Sequence, residues 1–280
     1  MRNYPRLDVS TFGRHLIESG DLDPVYIALP RAVQDEEQLH RWLIAYWCYY
    51  SCGFASYASE HRGDEFWKVL MTAAENIVPA PTGGRWPRGH ERRHARGAQG
   101  IKMVKGLEQR YGCVPEDIVG YVVENAPSYE GVANRVREHT LFGPWISFKV
   151  CDMVDRVLGI HMDFSEAVVF MFDDPAKAAL MLWRQHFQLP ESARPKDQAA
   201  VIHGVVENLK ETFKDLKAPP LFDRNIDLQE VETVLCKWKS HMNGHYPLNN
   251  DIVKIASSLG EWAPHSSCAA AMQRAMPKEK

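Results

Sequence analysis

Between Gly83 and Gly97 the chain reads GGRWPRGHERRHARG, placing five arginines, two histidines and a tryptophan on one short stretch. Pro87 and the glycines at 83, 84, 89 and 97 interrupt any single helix, so the guanidiniums are expected to project from a folded loop. A guanidinium is planar, permanently charged and donates in pairs, which suits phosphate oxygens. Arg88, Arg92, Arg93 and Arg96 are therefore expected to bind phosphate, and Trp86 to offer a stacking face to a base. The chemistry indicated is recognition of phosphate or nucleic acid; the alternative is a charged surface loop paired with Glu91 and the acidic helices.

Two further constellations carry reactive side chains. In PWISFKVCDMVDRV, Lys149 and Asp152 stand three apart and share a helix face, with Asp155 and Arg156 one turn on. Such a lysine could bind phosphate and such an aspartate accept a proton, or the two could form an ordinary surface pair. In VETVLCKWKSHMNGHYPLNNDI, Glu232, Cys236, Lys239 and Asn243 recur at helical spacing, while Lys237, His241 and Tyr246 add donors near a glycine-terminated helix end. A solvated face normally repeats Glu and Lys, so this mixture reads as a binding stripe or as a terminal helix of varied polar residues. Tyr46, Trp47 and Tyr50 could line a base pocket, or be core.

The elements that must position these groups are helical. Apolar residues recur at helical spacing and alternating β-branched runs are nearly absent, so the fold class is all-α. The periodicity predicts helices over 35–60, 64–77, 100–111, 115–124, 129–139, 164–172, 175–187, 196–216 and 228–242. One more follows the hairpin TLFGPW, with Pro144 suited to a helix start. The stretch KAPPLFDR reads as a connector. A single helical domain over 1–280 is expected, with a possible C-terminal helical subregion at 225–280.

The net charge is only −3, yet Arg85–Arg110 holds eight Lys or Arg against two Glu, a local basic patch that fits nucleic acid better than a membrane. No stretch approaches the roughly 20 apolar residues of a membrane span, and the first residues lack an apolar signal core, so the protein is expected in the cytoplasm, that of the host if phage-encoded. The six cysteines lack C-x-x-C pairing and read as reduced thiols, and no zinc-ligand cluster stands out.

The helix–LFGPW–helix arrangement resembles the helix-hairpin-helix element of the DNA glycosylase superfamily. A glycine hairpin there presents backbone N–H groups and a helix start to a DNA phosphate, which would assign Gly143 and Trp145 to DNA contact. Asp163 stands about where that superfamily often keeps a catalytic aspartate, or it caps a helix before Phe164.

Taken together, RWLIAYWCYYSCGFAS, GGRWPRGHERRHARG, FGPWISFKVCDMVDRV and VETVLCKWKSHMNGHYPL resemble the α-glutamyl/putrescinyl thymine pyrophosphorylase family of bacteriophages, the amino acid:DNA transferases. These blocks span Arg41 to Leu248. The resemblance implies a DNA glycosylase-like helical fold acting in thymidine hypermodification of double-stranded DNA. The (pyro)phosphate on a 5-hydroxymethyluracil base would be displaced by an amine from an amino acid or polyamine. The implied roles are leaving-group binding by Arg88, Arg92, Arg93, Arg96 and Lys149, and proton acceptance by His94, Asp152 or Glu232. Lys237, Lys239, His241 and Tyr246 would hold the amine or its carboxylate. Trp47, Tyr50, Trp86, Gly143, Trp145 and Asp163 would face base or DNA, after the nucleotide is turned out of the duplex. Cys236 beside Lys237 is a possible covalent nucleophile. No cofactor is required by this reading, although a divalent metal could assist the leaving group. A DNA glycosylase that cleaves a modified base and a non-catalytic nucleic-acid-binding protein are the competing readings.

Overall fold

The computed structural model describes residues 4–124, 128–164, 167 and 172–279. The chain forms two compact units, each assembled from segments distant in sequence. Both are helical, and the strands found among the described residues are the two-residue antiparallel pair β1 (Lys217–Ala218) and β2 (Arg224–Asn225), at the two ends of the stretch expected as a connector.

The first unit comprises Met1–Pro24, Asp163–Val253 and Pro277–Lys280, so the residues expected as a C-terminal subregion divide between the two units. It contains α1 (Val9–Ser19), α10 (Asp173–His186), α11 (Gln198–Thr212) and α12 (Leu228–Met242). Helix α12 lies at its centre, burying Val231, Val234, Leu235 and Trp238 against α1, α10 and α11. Its start is fixed by a capping box in which Asp227 and Glu230 satisfy each other's backbone, and buried Glu230 also takes Arg224 at 2.7 Å. Gly13 lets α1 close on this core, because a Cβ there would stand 2.4 Å from the Phe213 ring. The helix expected over 164–172 falls mainly outside the described residues.

The second unit comprises Val25–Met162 and Lys254–Met276. It holds α2 (Pro24–Ala32), α3 (Glu36–Tyr49), α4 (Cys52–Ser59), α5 (Gly63–Glu75), a 3₁₀ turn at His90–Arg92 and α6 (Gly97–Tyr111). These are followed by α7 (Asp117–Val123), α8 (Tyr129–Arg137), α9 (Pro144–Arg156), the greater part of α13 (Asn250–Trp262), whose first turn belongs to the first unit, and α14 (Ser267–Ala275). The helix expected over 35–60 is two helices. At Tyr50 the backbone turns left-handed, with φ 51°, and Ser51 starts α4. The residue itself is ill suited to that conformation; the break is held because Gly89 N–H takes the last carbonyl of α3, that of Tyr49, at 2.7 Å. Pro144 occupies the first turn of α9, as its missing N–H favours.

Candidate functional site

The arginine loop is folded onto the rest of the second unit by its own arginines. Arg92 is buried, donating through Nη1 to Leu141 O at 2.6 Å and through Nε to Cys48 O at 3.3 Å. Its guanidinium carbon also lies 5.2 Å from the Phe142 ring centroid. It thus holds the hairpin after α8 against the end of α3. Arg88 is half-buried and donates to Ala73 O at 2.8 Å. Gly89 passes so close to Tyr50 that a Cβ would stand 2.6 Å from Tyr50 O, which is why glycine stands there. Trp86 is core: it packs on Phe54, Tyr57 and Trp262, and its Nε1 donates to Val78 O at 2.9 Å.

Arg93, His94 and Arg96 remain exposed. Arg93 Nε approaches His94 Nε2 at 3.4 Å and Arg96 Nε donates to Arg93 O at 2.7 Å, leaving the forked ends of both guanidiniums unpaired. Arg96 occupies the N-cap position of α6, which has no capping side chain and no acid in its first turn. A helix start favours negative charge, so two cations placed there add to its field, and an anion would relieve both.

Beside the loop lies the hairpin. Gly143 has an ordinary φ of −82°, and a Cβ on it would meet nothing within 4 Å. Gly143 is exposed and is the N-cap of α9, a position glycine favours. Trp145 and Tyr50 are half-buried and pack edge to face at 4.9 Å, continuing a row of rings through Tyr46 and Trp42. Trp47 is enclosed, and its Nε1 meets no acceptor among the described residues.

Helix α9 supplies a buried charged cluster. Asp152 is fully buried and accepts from Tyr26 Oη at 2.9 Å and from Arg156 Nη1 at 3.4 Å, with Lys149 Nζ 3.9 Å away. Arg156 in turn lies over the Tyr26 ring at 4.6 Å. The sequence signalled Lys149, Asp152 and Arg156 by their shared face. It did not signal Tyr26, because VYIALP reads as plain apolar core.

In the first unit the polar stripe of α12 separates into distinct fates. Lys237 spends its three donors on Asp21 O at 2.8 Å, Leu22 O at 2.5 Å and the Asp251 carboxylate at 2.8 Å. Burial pulls its pKa down, but Asp251, Asp23 and Asp21 outweigh that and hold it above the ordinary lysine value. Asp21, completely buried, caps the start of α13 by accepting from Asp251 N and Ile252 N; its pKa is raised by burial, with Lys237 opposing. Tyr246 joins this cluster through a 3.3 Å bond to Asp21.

His241 is also committed to structure. Its Nδ1 faces Tyr246 O at 2.8 Å and so carries the proton, while Nε2 accepts Leu7 N–H at 3.0 Å. The N-terminal segment is fastened there, with Trp238 Nε1 donating to Leu7 O. Lys239 pairs with Asp174 at 2.7 Å on the surface. Glu232 is buried, Cys236 half-buried and Asp163 exposed. No disulfide joins any of the six cysteines, and burial pushes the Cys48 thiol up to about 12. Among the described residues no group of three or more His, Cys, Asp or Glu is arranged to hold a metal ion, and no helix is long and apolar enough to cross a membrane.

Exposed guanidiniums before an uncapped helix start, on a loop fastened to a hairpin with half-buried aromatics, form a surface suited to a polyanion. Comparison with known proteins gives the chain its class. Residues 13–245 match the sequence profile of the family described as Amino acid:DNA transferase. The chain is 50% identical over 287 residues to a glycinyltransferase of Pseudomonas phage PaMx11, covering 99% of this chain and 98% of that protein. It is 27% identical over 242 residues to a putrescinyltransferase of Delftia phage PhiW-14, covering 85% of this chain and 74% of that protein. The chain belongs to the amino acid:DNA transferase family and so is a transferase acting on DNA.

Proposed function

We propose that this protein transfers glycine to DNA, displacing the phosphate or pyrophosphate carried on the exocyclic carbon of a 5-hydroxymethyluracil base. The choice of glycine rests on the 50% identity, over nearly the whole of both chains, to the PaMx11 glycinyltransferase. The observation that supports the reading is the junction of loop and hairpin: Arg92 bonds Leu141 O and Gly89 N–H bonds Tyr49 O, which fastens the loop that carries exposed Arg93 and Arg96 to the hairpin that ends at Gly143.

In this reading the glycine nitrogen donates its electron pair to the exocyclic carbon as the carbon–oxygen bond breaks. The bonding pair leaves with the phosphate or pyrophosphate oxygen. Preset guanidiniums stabilise that growing charge without reorganising at the moment of reaction. Glycine must attack as the free amine, so one ammonium proton passes to a base beforehand and another is lost from the new secondary amine. Asp152, Glu232 and His94 are the candidate acceptors, and Lys149 sits beside Asp152 as a cation. The hairpin and the first turn of α9 would seat a DNA phosphate in the manner of a helix-hairpin-helix element of a DNA glycosylase-like fold, and the Tyr50–Trp145 pair would meet the everted base.

The test presents the enzyme with DNA bearing phosphorylated or pyrophosphorylated 5-hydroxymethyluracil and an equimolar mixture of glycine, glutamate and putrescine, followed by mass spectrometry of the nucleosides. The reading predicts one new nucleoside carrying glycine. Abasic sites, opened by mild alkali, would mark a glycosylase; a glutamate or putrescine adduct would retain transfer and overturn the choice of amine.

A further inference from the structure

We propose that the exposed face of α6 is a second part of the DNA contact, a track on which Lys102 and Lys105 together with Arg93 and Arg96 grip phosphates of the duplex backbone. The proposal rests on DNA being the acceptor, and not on which base or leaving group reacts.

Three observations carry it. First, all four side chains are exposed, and none makes an ion pair among the described residues. Arg85–Arg110 holds eight Lys or Arg against two Glu in a chain whose net charge is −3, so positive charge is concentrated on this stretch.

Second, the charges are placed by a rigid element. Lys102 and Lys105 are three apart and share the solvent face of α6, opposite the buried face of Gly100, Met103, Val104 and Leu107. Arg96 is the uncapped N-cap residue of the same helix and Arg93 lies just before it, so the positive end of the helix dipole adds to the charge of these side chains.

Third, α6 runs from the arginine loop to the hairpin. Arg92 Nη2 reaches Met103 Sδ at 3.3 Å on its buried face, and Gly106 passes Thr140, where a Cβ would stand 3.9 Å from Oγ1. At its far end Arg110 pairs with Glu138 at 3.0 Å. The lysines therefore lie between the loop and the hairpin, where backbone phosphates flanking a bound nucleotide would pass. Phosphate contacts of this kind set register and orientation and carry no sequence information.

The experiment measures binding of a short unmodified DNA duplex by the full chain as a function of salt. The double variant Lys102→Gln/Lys105→Gln should lower the slope of log affinity against log salt by about 2, roughly 0.9 for each phosphate that is no longer neutralised. Lys68→Gln, an exposed lysine already paired on α5, should leave the slope as in the unsubstituted protein. A double variant with the unsubstituted slope overturns the track, as does an unsubstituted protein whose affinity ignores salt. A track that passes while no glycine adduct forms leaves this inference standing and removes only the proposed reaction.

Discussion

Arg92 donates to the carbonyl of Leu141 at 2.6 Å across 49 residues of sequence, and this bond makes an arginine of the loop a bolt for the hairpin. The same guanidinium reaches Cys48 O and lies on the Phe142 ring, a geometry that a lysine's single ammonium cannot reproduce. Arg92→Lys should therefore lose about 1–3 kcal/mol of stability, since buried carbonyls are left without a donor. Urea unfolding checks this, and transfer should fall with it because the loop no longer faces the hairpin.

Arg93 and Arg96 should behave in the opposite sense. Both are exposed and make only local, solvent-exposed contacts, so Arg93→Gln and Arg96→Gln should change stability by no more than about 0.5 kcal/mol. If they stabilise the departing charge, each should lower kcat/KM by about 100-fold, in line with the loss of one preset donor. Full activity in both variants would mean that the leaving group is held elsewhere.

Tyr26 gives a third separation. Its hydroxyl is a donor to the wholly buried Asp152 carboxylate, and Tyr26→Phe removes that hydrogen bond with little change of shape. The expected cost is about 1–3 kcal/mol in unfolding free energy. If Asp152 takes the amine's proton, kcat should also fall, because the carboxylate loses the bond that orients it. A stability loss with unchanged kcat would leave Asp152 a purely structural group.

The first unit should lose stability in mild acid. Burial depresses the pKa of His241 below the ordinary 6.5, with the Tyr246 carbonyl opposing and Arg6 assisting. A depressed histidine contributes fully above the unfolded value, and the contribution is lost as pH falls through the folded one. His139 and His40, both lowered chiefly by burial, act in the same sense in the second unit. The thermal midpoint should drop between about pH 7.5 and 5.5, and His241→Gln, less stable throughout, should flatten part of that dependence.

Helix positions from α3 to α12 were readable because burial of one face imposes a 3.6-residue period on the chain, and the all-α class followed. The break at Tyr50 was not readable: the pattern runs on through it, and the turn is held by Gly89, 39 residues away in sequence. The arginine loop was visible as charge on a broken stretch. Which arginines build it was not visible, since Arg92 and Arg93 are neighbours of one residue type and differ only in what surrounds them. The α12 stripe shows the same limit. Lys237, His241 and Tyr246 have the side chains of a binding site, but their partners Asp21, Leu7 and Tyr4 lie at the other end of the sequence. A donor satisfied by a backbone carbonyl has the same spacing as one awaiting a ligand.

The central claim is that preset positive charge on one loop draws a phosphate or pyrophosphate away from a DNA base while glycine takes its place. The most direct measurement incubates the enzyme with phosphorylated or pyrophosphorylated 5-hydroxymethyluracil DNA and isotopically labelled glycine, then counts labelled nucleoside against released phosphate or pyrophosphate. The account predicts equal amounts of the two, with the base still joined to its sugar and the yield collapsing in an Arg93→Gln/Arg96→Gln variant. Label in the nucleoside without release of either anion, or undiminished yield in that variant, would contradict it.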